Sequence, residues 1–391
     1  MTDNDGNLTM KIGIFTLPPY INIGGMLQVY ALQTLLERNF GASSEVKLIN
    51  RNSDKLSPER NLESFPWWKF PFSFGKRLMK KIFVDSNTIL SVRKQWKRQH
   101  QAWINGYRPF LEKYIHSDYY NSIEDINEDS YEIIVVGSDQ IWRPVYLADS
   151  WGTTNPSVAF LSFAKDWNIK RYAYAASFGV DRWEFPTEKT AEYAALASKF
   201  LAVSVREDTG VKLCHKYLGI EAKHVLDPTM VLEVDDYMRL VTAADLPESP
   251  GNLFCYILDS NINKTTLINK VAKGHSLIPF QVNNPGKYNS CSYFPIESWL
   301  KAFHDAEFVI TDSFHGCAFS IIFGKPFIAV GNVARGLSRM QSLMQMFGLE
   351  EHLISDVSQY DPRKRYEQPE SVGQKLNLLR SQATDFIAQI R

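Results

Sequence analysis

Short apolar runs recur along the chain at spacings that leave room for a helix between one and the next. KIGIF (11–15), VKLIN (46–50), YEIIVVG (131–137), RYAYAAS (171–177) and FLAVSV (200–205) are close to continuous in hydrophobicity rather than alternating. Strands covered on both faces, as in a parallel sheet, carry this pattern. Between the first two runs, Pro18, Pro19, Asn22, Gly24 and Gly25 make a loop, and LQVYALQTLLERNF then reads as a helix that stops at Gly41. The segment AADLPESPGN (243–252) collects proline, glycine and acid, and is the best linker in the chain. Beyond it come LFCYIL (253–258), a strand near 276–282, a helix from Ile296, FVIT (308–311), a helix from His315, PFIAV (326–330), and helices over 337–347 and 370–390. The predicted fold class is α/β, with two Rossmann-like doubly wound domains facing a cleft. We place the domains at 1–242, the expected acceptor side, and 243–391, the expected donor side, the last helix being a candidate to pack back on the first domain.

Composition fits two folded domains: 45% of residues are hydrophobic and 22% charged, well outside the disordered range. Lysine plus arginine equals aspartate plus glutamate at 43 each, which removes any global reason to expect nucleic acid. The balance is uneven locally, however. Residues 51–120 carry 14 basic against 6 acidic side chains, behind a loop bearing Phe65, Trp67, Trp68, Phe70, Phe72 and Phe74. We read this stretch as a helical insertion in the first domain. It either docks a membrane-borne acceptor at anionic headgroups or is a solvated helix packed through its aromatics. No apolar run approaches the roughly 18 residues needed to span a bilayer, and the polar start of the chain lacks a secretion signal. Cys214, Cys255, Cys291 and Cys317 have no paired spacing, which fits a reducing cytosol. The expected location is cytoplasmic, with peripheral contact at the inner face of the membrane left open. The eight histidines are scattered, with no metal-binding spacing, so no metal and no bound cofactor are expected.

Four segments place polar residues directly after an apolar strand, where ligands bind in open α/β sheets. They are NIGGMLQVYALQ (22–33), VVGSDQIW (135–142), VSVREDTG (203–210) and VITDSFHGCAFSIIFGKPFI (309–328). Arg206 stands at a strand's C-terminal edge, where it can either clamp an anion or pair with Glu207 or Asp208. His315 follows FVIT, with Asp312 and Ser313 as candidate caps for the next helix, whose free amides suit an anion. Gly24 and Gly25 permit close backbone approach or make a tight turn. Asp139 and Gln140 can hold sugar hydroxyls while Trp142 offers a face to a ring, or the segment is a turn with a packed tryptophan.

Together and in this order, the four segments resemble the polysaccharide pyruvyl transferase family, from Lys11 to about Gly348. The resemblance implies a fold similar to the B-type glycosyltransferases, and phosphoenolpyruvate as co-substrate. It also implies transfer of pyruvate, as a cyclic ketal, to a glycan or lipid-linked glycan precursor of the cell envelope or capsule. Arg206 and His315 match the family's donor-binding arginine and catalytic histidine, with His315 expected as general acid. Ser313, Phe314 and Gly316 complete the expected donor site. Asn22, Gly24, Gly25, Gln28, Ser138, Asp139 and Gln140 are the expected acceptor or cleft residues. A B-type glycosyltransferase using a nucleotide sugar and an inert glycan-binding relative are the alternatives.

Overall fold

The computed structural model describes residues 9–20, 22–52, 103–282, 294–332 and 336–391. The aromatic and basic stretch from Phe65 to Lys81, and Cys291, lie outside the described residues. Two parallel sheets form the frame. The first joins β1 (Met10–Phe15), β2 (Ser44–Arg51), β3 (Ser117–Tyr120), β4 (Ile133–Val136), β5 (Lys170–Ala176), β6 (Ala202–Val205) and β7 (Lys223–His224) in the order β3-β2-β1-β4-β5-β6-β7. The second joins β8 (Leu253–Tyr256), β9 (Pro279–Phe280), β10 (Phe308–Thr311), β11 (Phe327–Val330) and β12 (Leu353–Ile354) in the order β12-β11-β10-β8-β9. Every pairing is parallel. The central strands explain why: all four residues of IIVV in β4 and of FVIT in β10 are buried, so both faces need a covering layer of helices.

Those layers are supplied in the first half by α1 (Ile23–Phe40), α2 (Arg108–Tyr114), α3 (Pro144–Trp151), α4 (Thr190–Ala197), α5 (Asp208–Leu213), α6 (Pro228–Val231) and α7 (Val234–Thr242). In the second half they are α8 (Ile262–His275), α9 (Ile296–Asp305), α10 (Phe314–Ile322), α11 (Leu337–Phe347) and α12 (Glu370–Ile387). The predicted α/β class with two doubly wound sheets is the fold observed. The two halves share a core, in which Tyr237 of α7 meets Phe319 of α10 at 4.9 Å and Trp299 of α9 meets the same ring at 4.9 Å. The last helix lies on the first half: Arg380 donates to the Met230 and Leu232 carbonyls at 2.9 and 2.8 Å, and Phe386 packs on Tyr174.

Three short strands, β3, β7 and β12, were not legible as apolar runs. β3 also changes the reading of the basic segment, whose end is the first sheet's edge strand rather than part of an insertion.

Candidate active site

In the first sheet the chain moves outward from β1 through β2 to β3, then returns to the other side of β1 as β4. That reversal opens a crevice beyond the C-terminal ends of β1 and β4, the place where doubly wound sheets bind ligands. The loops at this crevice are the NIGGM and GSDQIW segments, and they are tied together. Thr16 Oγ1 donates to the Ser138 carbonyl at 2.7 Å, and Asn22 Nδ2 donates to Asp139 Oδ2 at 3.2 Å. Asn22 also caps α1, its Oδ1 accepting from the Gly25 amide at 3.1 Å. Asp139 has a positive φ of 71°, a conformation that short polar side chains tolerate better than most. Farther along the same sheet edge, β5 carries a register irregularity between Ala173 and Ala176, just ahead of Ser177. Bulges of this kind often re-aim side chains beside functional sites.

Arg206 follows β6 and is 3% exposed. Neither Glu207 nor Asp208 is its partner. Glu207 accepts from the Phe178 and Gly179 amides at 2.7 and 3.1 Å, and Asp208 pairs with Lys212. Instead Arg206 Nη1 donates to Asp227 Oδ2 at 2.7 Å, and Nη2 stands 3.6 Å from Asp139 Oδ1. Burial alone would lower its pKa, but Asp227, Asp139 and Glu207 outweigh that and hold it above the ordinary arginine value. The Nε and Nη2 atoms make no hydrogen bond. The guanidinium carbon lies 4.5 Å from the centre of the Phe314 ring.

Asp227 is a site residue that sequence reasoning missed. It is fully engaged: Oδ1 accepts from Thr229 N and Oγ1 at 3.0 and 2.6 Å, and Oδ2 from Ser138 Oγ at 2.9 Å as well as from Arg206. Burial would raise its pKa, yet Arg206, His315 and these donors hold it down to about 2. Its signal was present in HVLDPTM, where an Asp before Pro caps α6.

The second sheet reverses between β8 and β10, and His315 emerges there on the first turn of α10. Its Nε2 lies 3.9 Å from Asp227 Oδ2 and makes no hydrogen bond. Burial lowers its pKa to about 4, with Arg206 working in the same direction against Asp227 and Asp139. That shift favours the neutral imidazole near pH 7. Gly24 explains how α1 comes so close: a Cβ there would sit 2.0 Å from His315 Nδ1. Gln28, one turn further along α1, is fully buried with no partner for either amide atom.

Arg339 of α11 is the other missed residue, hidden in an amphipathic helix without any local mark. It is buried, its guanidinium carbon 5.6 Å from the Phe314 ring centre, so two cations share one aromatic ring. Burial and then the neighbouring Arg206 lower its pKa to about 10.

The remaining expected residues have structural posts. Ser313 takes the N-cap position of α10 without a side-chain cap bond, its amide donating to Thr311 Oγ1 at 3.1 Å. Asp312 does not cap that helix but accepts from the Leu258 and Asp259 amides and from Lys264. Gly316 lets α10 pack on β10, since a Cβ would meet Thr311 Oγ1 at 2.0 Å, and Gly25 lies against Asn22. Gln140 packs on Gly179 and accepts from Arg143 at 3.3 Å. Trp142 is a core residue between Phe160 and Phe178, its indole N–H bonded to the Ala159 carbonyl. It presents no face to a ligand. No helix among the described residues is long and apolar enough to cross a membrane.

Among solved structures, the chain is similar to a UDP-GlcNAc 2-epimerase from Neisseria meningitidis bound to UDP-GlcNAc, at 8% identity and TM-score 0.41, over 98% of this chain and 94% of that one. It is similar also to a UDP-GlcNAc 2-epimerase from Methanocaldococcus jannaschii, at 12% identity and TM-score 0.45, over 93% and 95%. The glycotransferase of kitacinnamycin aligns at 11% identity and TM-score 0.42, over 97% and 98%. No curated protein matches the sequence. The sequence model of one family, polysaccharide pyruvyl transferase, matches residues 22–332. That span holds Asn22, the Ser138–Asp139 turn, Arg206, Asp227 and His315, and the chain belongs to the polysaccharide pyruvyl transferase family.

Proposed function

We propose that this transferase moves pyruvate from phosphoenolpyruvate to two hydroxyls of one sugar in a glycan, forming a cyclic ketal and releasing phosphate. The observation that carries the reading is the Nε–Nη2 edge of a buried Arg206, which donates no hydrogen bond even with Asp139 at 3.6 Å, set beside the similarly unbonded Nε2 of His315. A planar guanidinium edge matches a carboxylate or phosphate through two parallel hydrogen bonds. Arg339, which shares the Phe314 ring with Arg206, adds a second buried cation for a donor that has two anionic groups. Asp227 positions Arg206 through Nη1, leaving the opposite edge for the donor.

The bound dianion raises the affinity of His315 for a proton by direct charge attraction, and the imidazole takes one up from solvent. The imidazolium gives that proton to the vinyl carbon of the donor. This creates a methyl group and an electrophilic carbon next to the carboxylate. The neutral ring then accepts the proton of the first sugar hydroxyl as its oxygen attacks. Phosphate leaves with that proton, and the second hydroxyl closes the ketal, returning one proton to solvent. Fixed charges and positioning supply most of the acceleration.

The test incubates the protein with phosphoenolpyruvate and a panel of aryl or lipid-linked glycosides, following phosphate release and acceptor mass together. Coupled release and ketal mass gain is the expected result. Release of a nucleoside diphosphate from a nucleotide sugar, with no pyruvate transfer, would overturn the reading.

A further inference from the structure

The ketal chemistry described above leaves one proton without a partner in the protein. When the first hydroxyl adds, His315 receives its proton and hands it to the departing phosphate. That departure breaks the C–O bond at the former enol carbon and leaves a cationic centre stabilised by the new ether oxygen. The second hydroxyl must then give an oxygen lone pair to that carbon and lose its own proton. Phosphate has just left on the side of His315, so a hydroxyl closing from the opposite face needs an acceptor of its own. The demand on that acceptor is small. An oxygen bonded to a cationic carbon releases its proton readily, and an ordinary carboxylate is base enough.

Asp227, Asp139 and Glu207 all raise the pKa of Arg206, so each lies near the donor's guanidinium. Asp227 has both oxygens occupied by Thr229, Ser138 and Arg206. Glu207 holds the Phe178 and Gly179 amides through Oε1, and its unbonded Oε2 has no surface because the residue is fully buried. Asp139 differs from both. It keeps 6% exposure on the turn after β4, at the mouth of the crevice. Its Oδ2 accepts from Asn22 Nδ2 at 3.2 Å, while Oδ1 stands 3.6 Å from Arg206 Nη2, beyond hydrogen-bond length. That Nη2 belongs to the guanidinium edge assigned to the donor, so Oδ1 borders the place where the donor is held.

The carboxylate is also fixed in position. The Asp139 carbonyl accepts from the Ser177 amide at 3.1 Å, Asn22 holds Oδ2, and the backbone keeps its φ of 71°. Glycine adopts such a φ without strain, and a residue with a side chain in that region is the kind of outlier that clusters at functional sites. Asn22 in turn caps α1, whose Gly24 abuts His315. The start of one helix therefore sets both the carboxylate and the imidazole.

We propose that Asp139 is the catalytic base of ring closure, its Oδ1 taking the proton of the second sugar hydroxyl and passing it to solvent. Its negative charge also favours the cationic carbon formed when phosphate leaves, over the anionic donor that precedes it. The assignment rests on the ketal chemistry proposed above, and the experiment separates the two.

Asp139→Asn keeps the shape, an acceptor for Asn22 and a residue that tolerates positive φ, while removing the charge and the basic oxygen. Reactions run in heavy water with aryl hexosides that the native protein pyruvylates, and with analogues that each lack one of the two bridged hydroxyls. Ketal formation from the full acceptor should fall tenfold or more in Asp139→Asn. The earlier steps should persist. With the analogue that keeps the first hydroxyl, deuterium uptake into the vinyl group of recovered phosphoenolpyruvate should stay within threefold of native. The Kd for phosphoenolpyruvate, by calorimetry, should stay level or fall, since a negative charge beside an anionic donor has been removed. A ketal rate within threefold of native would overturn the assignment. So would parallel losses of ketal formation, deuterium uptake and donor affinity, which would reduce Asp139 to a support for Arg206. A native protein that binds no phosphoenolpyruvate and forms no ketal would instead sink the ketal reading itself, and the assignment with it.

Discussion

Arg206 and His315 are buried polar groups that both approach Asp227 Oδ2, and each makes a separate prediction. Arg206→Lys should raise the KM for phosphoenolpyruvate tenfold or more while the acceptor KM stays within twofold, because an ammonium cannot offer a planar two-point edge. Steady-state kinetics varying each substrate in turn check this, and an unchanged donor KM would remove Arg206 from the donor site. Proton transfer by a positioned side chain is commonly worth roughly 10²-fold to 10⁴-fold, so His315→Ala should lose about 3 to 5 kcal/mol of transition-state stabilisation while keeping a native melt. Turnover within tenfold of the native rate would show that the ring only packs against Gly24.

The same histidine should tie stability to pH. Unfolded, its imidazole takes up a proton below its ordinary value of 6.5, but folded it does so only near 4. Between those values the unfolded chain binds more protons. Stability therefore falls as pH drops from 6.5 to 4, by about 3 kcal/mol at most from this group. Urea melts across that window should show a shallower fall in His315→Gln, and parallel curves would contradict the buried neutral ring.

At the scale of elements, the site is a meeting of helix starts and strand ends, and the closest approach is that of α1 to α10. Gly24 on α1 is tolerated inside the first turn because only a hydrogen fits against His315. Gly24→Ala should therefore cut kcat at least tenfold although alanine is the better helix former, and the cost should come from displacing the imidazole. Combining it with His315→Ala should give little further loss of activity. Independent, multiplicative losses would mean that the contact does not matter to catalysis. Helix α11 contributes in another way. It carries Arg339 to the Phe314 ring from a part of the chain far beyond the β10 motif, so the second cation depends on packing between α10 and α11 rather than on either helix alone.

Across the whole molecule, α12 returns to the first half after the second sheet is complete, and Arg380 is its main polar anchor. Besides the two carbonyls it pairs with Glu233. Arg380→Ala would leave both buried carbonyls without their donor, and a loss of about 2 to 3 kcal/mol is expected. Denaturant unfolding should register that loss in the signals of both halves together, because the core from Tyr237 to Trp299 is continuous. Separate transitions for the two halves would show that they are energetically independent.

Much of this was written locally. Continuous apolar runs identified the buried strands, with FVIT matching β10 residue for residue, because a strand covered on both faces has no polar side to show. The same logic put Arg206 and His315 at strand ends, where a doubly wound sheet must open. The short edge strands SDYY, KH and LI stayed hidden, since two to four residues with one sheet neighbour need no apolar pattern. Trp142 was ambiguous for a related reason: a tryptophan in a turn has the same letter whether it faces solvent or core. Only the tertiary structure gathered Asp227 and Arg339 around Arg206. A lone carboxylate or guanidinium carries no local mark of burial, and its partner and its pKa are set by segments more than 20 residues away in sequence, as Asp227 and Arg206 illustrate at a separation of 21. The sequence by itself determined where the sheets open and which strand ends carry the candidate residues. The fold decided which charges meet there, because desolvation and pairing belong to positions in space rather than in the chain.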